Sequence, residues 1–229
     1  MIDLSILILA KQEAENLSLL LPAIECILED TEIRYEIIVV MPGVETAISG
    51  ENFPEVRYLT EEKEGYGNAL KQGFENCSGT CILTVDADLS HPPDYIAKLW
   101  ENRDTADLLV CSRYTRGGKA NMPFVRKLSS RLLNLLFSKS LMLPIKDISS
   151  GYRLYRRDAL KGIRLTSHNF DILIEIAIRM YLKGLSIREI PFEYRPRRMG
   201  SSKARLMLFA FSYIKTYSKM FILRYLTGG

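Results

Sequence analysis

The sequence predicts an α/β protein whose central sheet is mostly parallel and covered by helices on both faces. Two observations carry this. Strand-like apolar runs alternate with helix-like stretches through the first half of the chain, the rhythm of strands joined by helical crossovers. The run "EIIVV" (36–40) is apolar almost throughout, as in a buried strand, and ends in the glycine-containing turn "MPGV". With 229 residues, 47% of them hydrophobic and 25% charged, one body can bury a sizeable core and no second domain is required.

The elements follow in order. "IDLSILILA" has the apolar character of a secretory signal, but it lacks a basic start and a small-residue cleavage site and runs straight into charge, so it reads as the first strand. "EAENLSLLLPAIECILED" is helix-like, "EIIVV" and "VRYLT" are strands, and "YGNALKQGFEN" is a second helix. "CILTVDA" is a strand that leads through "DLSHPP" into a proline-initiated helix, and "DLLVCS" is the next strand. After residue 113 the rhythm changes. Gly117 and Gly118 form a loop before a basic helix, "FVRKLSSRLLNLLF", then a strand, "SGYRLYRR", then an apolar helix, "FDILIEIAIRMYLKG". In the last stretch, 204–226, helical periodicity puts Arg205, Ser212, Lys215, Thr216 and Lys219 on one side, with Leu206, Phe209, Phe211, Phe221 and Ile222 elsewhere. Charges interrupt it too often for a membrane span, so it is expected to lie in a membrane interface or to pack against the domain or a partner. The expected organisation is one α/β domain over 1–203 and an amphipathic helix over 204–229.

Cys26, Cys77, Cys81 and Cys111 show no metal-ligand spacing and read as packing residues of a reducing cytosol. Charge is unevenly spread. Residues 1–102 carry 6 Lys and Arg against 19 Asp and Glu, and residues 103–229 carry 25 against 8. A polyanion partner for the second half follows, whether a phosphorylated substrate, membrane headgroups or nucleic acid. Nucleic acid is disfavoured because no nucleic-acid-binding signature accompanies the basic residues.

The chemistry gathers at Asp86-Ala87-Asp88. Side chains two apart on a strand share a face, so the two carboxylates are expected to converge at the strand's carboxyl end, where open α/β sheets bind ligands. Such a pair suits Mg²⁺ or Mn²⁺, hard cations that complete their shells with phosphate and water.

The surrounding stretch "EGYGNALKQGFENCSGTCILTVDADLSHPPDYI" is similar to the core of the family-two inverting glycosyltransferases of GT-A fold. It resembles in particular the dolichyl-phosphate mannose synthase branch and its bacterial polyprenyl-phosphate relatives. "QEAENL", "CSRYTRGG", "RKLSSRLLN", "DISSGYRLYRR" and "RRMGSSKARL" resemble further motifs of that family in the same order. The resemblance implies metal-dependent, inverting transfer of a hexose from a GDP- or UDP-linked donor to a polyprenyl phosphate, on the cytoplasmic face of a membrane. It implies that Asp88 and Asp86 hold the metal, that Glu13, Ala87, Arg197 and Lys203 face the donor, and that Arg113, Lys127, Ser130 and Arg131 contact the acceptor phosphate. A polyprenyl phosphate is already a nucleophile near neutral pH, its second pKa being about 6, so no strong base is required. His91 is expected to shape the turn. An integral-membrane partner or a second copy of the chain would be an alternative route to the lipid. A soluble glycan acceptor, with Asp147 or Glu175 as base, or a non-catalytic membrane-binding role are the alternative functions.

The chain departs from the family pattern at three places. Lys11 and Gln12 stand where an aromatic and an asparagine are usual, Ser90 where a glutamine is usual, and Met41-Pro42 where the family carries its base-reading acid. Three explanations stand open: Glu45 or Glu13 supplies the contact, apolar packing and backbone groups hold the base, or donor binding is impaired.

Overall fold

The computed structural model describes residues 1–42, 53, 55–195 and 206–226, with the side chains of the last helix described from residue 211. Its strands are β1 (Leu4–Leu9), β2 (Tyr35–Met41), β3 (Val56–Thr60), β4 (Cys81–Asp86), β5 (Leu108–Ser112), β6 (Lys119–Ala120), β7 (Arg153–Arg156), β8 (Ile187–Pro191) and β9 (Glu193–Tyr194). Its helices are α1 (Ala14–Glu29), α2 (Tyr66–Asn76), α3 (Tyr95–Glu101), α4 (Phe124–Ser140), α5 (Arg157–Leu160), α6 (Ile172–Leu182) and α7 (Leu206–Tyr225). Seven strands form one sheet in the order β3-β2-β1-β4-β7-β5-β8, and β6 and β9 form a separate pair. Only β7 runs antiparallel to its neighbours, β4 and β5.

Strand alternation divides the core between the two faces. Leu4, Ile6 and Ile8 of β1 pack with Leu17, Leu20, Leu21, Ile24 and Leu28 of α1, whereas Leu7 packs with Leu70 of α2 and the apolar residues of α6. The α1 residues recur at three- and four-residue spacing, which keeps one stripe on the sheet even though Pro22 lies inside the helix. Cys77, Cys81 and Cys111 are buried, but Cys26 is exposed on the outer side of α1 and corrects the expectation that all four pack. Strand β8 escapes the sequence reading because Arg188 and Glu189 interrupt its apolar run. Glu189 there accepts the main-chain N–H groups of Lys146 and Asp147.

Arg153, fully buried in β7, has no carboxylate partner among the described residues and instead donates to the carbonyls of Ser150 (2.7 Å), Leu173 (2.8 Å) and Ile148 (2.5 Å). It thereby ties the loop before β7 to the start of α6.

Helix α7 keeps Lys215 and Lys219 exposed, as periodicity predicts, but departs from the amphipathic expectation at Thr216. Thr216, placed on the polar side by periodicity, is buried and donates to Asp171 at 2.7 Å, while Met220 enters the core below α6. Phe211 and Ile214 face outward instead, at 77% and 64% exposure. The helix is held at Ser167, which bonds to Thr216, and at Thr166, which accepts from Lys219 at 2.6 Å. Glu175 in turn accepts from the main-chain N–H groups of Thr166 (2.9 Å) and Ser167 (2.7 Å), from the Thr166 hydroxyl and from Arg179.

Burial alone would raise the Glu175 carboxyl, but these hydrogen bonds outweigh it and hold it at about 2, against an ordinary 4.5. A lowered carboxyl stabilises the fold above its unfolded pKa and loses that contribution as pH falls through the folded one. Glu175→Gln is expected to cost about 3 kcal/mol at pH 7, with the gap to the unaltered chain closing as pH falls from 4.5 towards 2. Urea unfolding across that range checks it.

Candidate active site

The site is built around the end of β4. Asp86 is the last strand residue, and its main-chain N–H donates to Nδ1 of His91 at 3.1 Å. That bond leaves the imidazole proton on Nε2, which points at Asp86 Oδ2 from 3.7 Å. His91 is buried and stacked on Tyr152, whose hydroxyl donates to the carbonyl of Pro92. With Nδ1 accepting and Nε2 protonated, His91 shapes the turn and offers no lone pair for a base.

Asp88 lies beyond the strand, in a turn where Leu89 takes a φ of 61° and the Ser90 N–H donates to Asp88 Oδ1 at 3.0 Å. Asp88 thus reaches the same two cavities as Asp86 from a turn and not from a position on the strand. Gly151 permits the crowding on the other side. A Cβ there would lie 2.8 Å from the Tyr66 hydroxyl and about 3.5 Å from the Asp86 carboxylate.

Two cavities share Asp86, Asp88 and Phe170 as a common wall. The first, about 410 Å³, runs along the strand ends past Leu9, Ala10, Val40 and Pro42 to Glu61 and Glu64. Glu13 lines it at the start of α1, and Tyr66, stacked on Phe170 with centroids 4.2 Å apart, forms its inner wall. Burial pushes the Tyr66 hydroxyl well above its ordinary range, so it stays protonated near Asp86. The second cavity, about 540 Å³, has Arg113, Arg126, Ser129, Ser130 and Ser149 near its polar end. Beyond them it is walled by Leu132, Leu133 and Leu136 of α4 and by Tyr213, Ile214 and Tyr217 of α7.

Arg113 is fixed before any ligand arrives. Its Nε and Nη2 each donate to Asp147 at 2.7 Å, Nη2 also reaches Ser149 at 2.9 Å, and the Arg113 main-chain N–H donates to the same carboxylate. Burial alone would lower its pKa, but the adjacent Asp147 raises it, so the guanidinium keeps its charge.

The expected residues distribute as follows. Asp86, Ala87, Asp88 and Glu13 line the first cavity, and Arg113 and Ser130 line the second. Lys127 and Arg131 do not line it; they are exposed on the outer side of α4, because Arg126, Ser129 and Ser130 occupy its inner side. Of the pair at the end of β2, Met41 turns into the core and only Pro42 reaches the cavity. Glu45, Arg197 and Lys203 lie outside the described residues. Tyr66, Phe170, Arg126, Glu61 and Glu64 were not singled out from sequence, and of these Glu64, Tyr66 and Arg126 lie within recognised motifs.

Two carboxylates on the wall common to both cavities, with no cluster of three or more His, Cys, Asp or Glu among the described residues, suit a hard divalent cation that takes its remaining ligands from phosphate and water.

Residues 5–164 match the glycosyl transferase family 2 model. The chain belongs to glycosyl transferase family 2. Among curated relatives it is 35% identical over 213 residues to the dolichol-phosphate mannosyltransferase of Pyrococcus furiosus, covering 88% of this chain and 59% of that one. It is 33% identical over 167 residues to the polyprenol monophosphomannose synthase of Mycolicibacterium smegmatis, covering 69% and 63%. The chain thus spans about three fifths of the length of these family 2 relatives.

Glucosyl-3-phosphoglycerate synthase of Mycobacterium tuberculosis, solved with Mn²⁺, UDP and glucosyl-3-phosphoglycerate, matches with a TM-score of 0.74 and 21% identity over 95% of this chain and 79% of that one. The same enzyme solved with Mg²⁺ and UDP matches at 0.70 and 19%, over 95% and 79%. These likenesses show the GT-A fold.

Removing one partner of a buried ion pair leaves an uncompensated charge. Asp147→Asn is therefore expected to lower stability by about 3 kcal/mol or more, read from thermal unfolding.

Proposed function

We propose that the chain transfers a hexose, with inversion, from a nucleoside-diphosphate sugar to a polyprenyl phosphate at a membrane surface. The observation that carries this reading is the pair of cavities meeting at Asp86 and Asp88. One follows the strand ends as a nucleotide would, and the other is lined by Arg113 and Arg126 together with apolar side chains of α4 and α7. Mannose is the sugar in the names of the curated relatives, which favours it here.

Asp86 and Asp88 would hold Mg²⁺ or Mn²⁺ against the donor diphosphate, with Glu13 beside the nucleoside. The ion would neutralise charge on the departing nucleoside diphosphate. Arg113 and Arg126 would receive the acceptor phosphate, and the Asp147 clamp would present the Arg113 guanidinium without reorganisation. One phosphate oxygen attacks the anomeric carbon as the bond to the diphosphate breaks on the opposite side, which inverts the centre. A soluble hydroxyl acceptor would need a base. The two candidates are committed, Asp147 to Arg113 and Glu175 to Arg179 and Thr166, which favours the phosphate acceptor.

The lipid would lie along the apolar end of the second cavity and emerge between α4 and α7. Leu132 and Leu136 of α4 and Ile214 of α7 line that cavity and are exposed, and Phe124, Val125, Leu128 and Leu135 of α4 and Phe211 and Ile222 of α7 are exposed elsewhere on the same two helices. No helix among the described residues is long and apolar enough to cross a membrane, and this surface suits burial at the level of the headgroups. Lys127 and Arg131, on the outer side of α4, would face lipid phosphates.

Asp88→Ala is expected to abolish Mn²⁺-dependent transfer to undecaprenyl phosphate while the circular dichroism spectrum and melting temperature stay close to those of the unaltered chain. Turnover at the original rate would contradict the metal assignment. The double substitution Phe211→Ser, Ile222→Ser is expected to reduce flotation with anionic vesicles at least about tenfold. Truncating α7 would be a poorer test, because Met220 belongs to the core.

A further inference from the structure

The family's acid at the end of β2 is missing, but a carboxylate stands one strand away. Glu61 directly follows β3, and its main-chain N–H donates to the carbonyl of Met41 at 2.7 Å, which sets it beside Pro42. Its side chain is half-buried, lines the first cavity, and accepts the Gly65 N–H through Oε1 at 2.8 Å. That bond aims the carboxylate and leaves Oε2 as the second acceptor.

The cavity crosses the ends of β4, β1 and β2 and reaches Glu61 just past β3, and at 4.7–4.9 Å per strand this is roughly 14 Å from Asp86, the scale of an extended nucleoside diphosphate. A diphosphate fixed at Asp86 and Asp88 therefore puts its base beside Glu61. The Lys11–Glu64 pair, 2.8 Å apart, stands on the rim of the same end. Lys11 occupies the position where the family's aromatic is usual, so both changed positions gather around one carboxylate.

We infer that Glu61 is the base-reading residue of this chain, accepting an N–H from the edge of the donor's base in place of the acid absent at Met41-Pro42. The inference rests on the donor reading above and deepens it. Burial raises the Glu61 carboxyl, opposed by the Gly65 N–H bond and by Lys11.

Glu61→Gln keeps a carbonyl oxygen for the Gly65 N–H and so preserves the loop, but it removes the charge and turns one acceptor into a donor. Calorimetric titration of the full chain with UDP and GDP in the presence of Mn²⁺ tests the idea, with inorganic pyrophosphate as the base-free probe and Glu62→Gln as an exposed control of equal charge. The expected result is about 10- to 100-fold weaker binding of the preferred nucleotide by Glu61→Gln, with pyrophosphate affinity unchanged and Glu62→Gln like the unaltered chain. Unaltered nucleotide affinity in Glu61→Gln, or an equal loss for pyrophosphate, would overturn the assignment of Glu61 alone. Failure of the unaltered chain to bind either nucleotide would overturn the donor reading and this inference together.

Discussion

The hydrogen bond from the Asp86 amide to His91 ends β4 and sets the turn on which both cavities depend. Without it, the chain would be free to continue along the sheet, and Asp88 would follow strand alternation instead of folding back beside Asp86. The ring that accepts this bond is itself held between Tyr152 and Phe192, and Tyr152 is anchored to Pro92. The carboxylates thus stand beside a braced aromatic cluster, so that little would need to be ordered on binding the cation and diphosphate of the proposed donor.

The second brace is ionic. Arg113 and Asp147 are buried together, and the loop that carries Asp147 is tied through Arg153 to α6. A buried cation satisfied only by carbonyls contributes little net stability. The value of Arg153 here is geometric, because it joins the carbonyls of Ile148 and Ser150, in the loop that lines the second cavity, to that of Leu173 in α6. The charge imbalance along the chain has its counterpart in this division. Glu13, Glu61, Glu64, Asp86 and Asp88 line one cavity, and Arg113 and Arg126 line the other beside the shared aspartates.

The parallel sheet, its two helix layers and the aspartate pair were legible in the sequence, because each rests on local periodicity or on adjacent residues. What was not legible depends on rotation or on contacts distant along the chain. Helical periodicity defined the stripes of α7 but not which stripe would dock, and the Thr216–Asp171 bond, 45 residues apart, decided it. The basic helix α4 was recognisable, yet only its packing shows that Arg126 and not Lys127 faces inward. The missing acid at Met41-Pro42 was evident at once. Glu61 was not, because it belongs to a neighbouring strand and only the β2–β3 register makes the two positions adjacent.

The opening between α4 and α7 bears on how such an enzyme would experience concentration. A substrate that enters from an apolar surface is met by lateral diffusion within a leaflet, so its effective supply is a mole fraction and not a bulk molarity. Turnover would then fall as inert lipid is added at constant total substrate, while the donor, arriving from water at the other cavity, would obey ordinary solution saturation. One active site would thus work across two phases with separate dimensionality, and the pair of aspartates would mark the boundary between them.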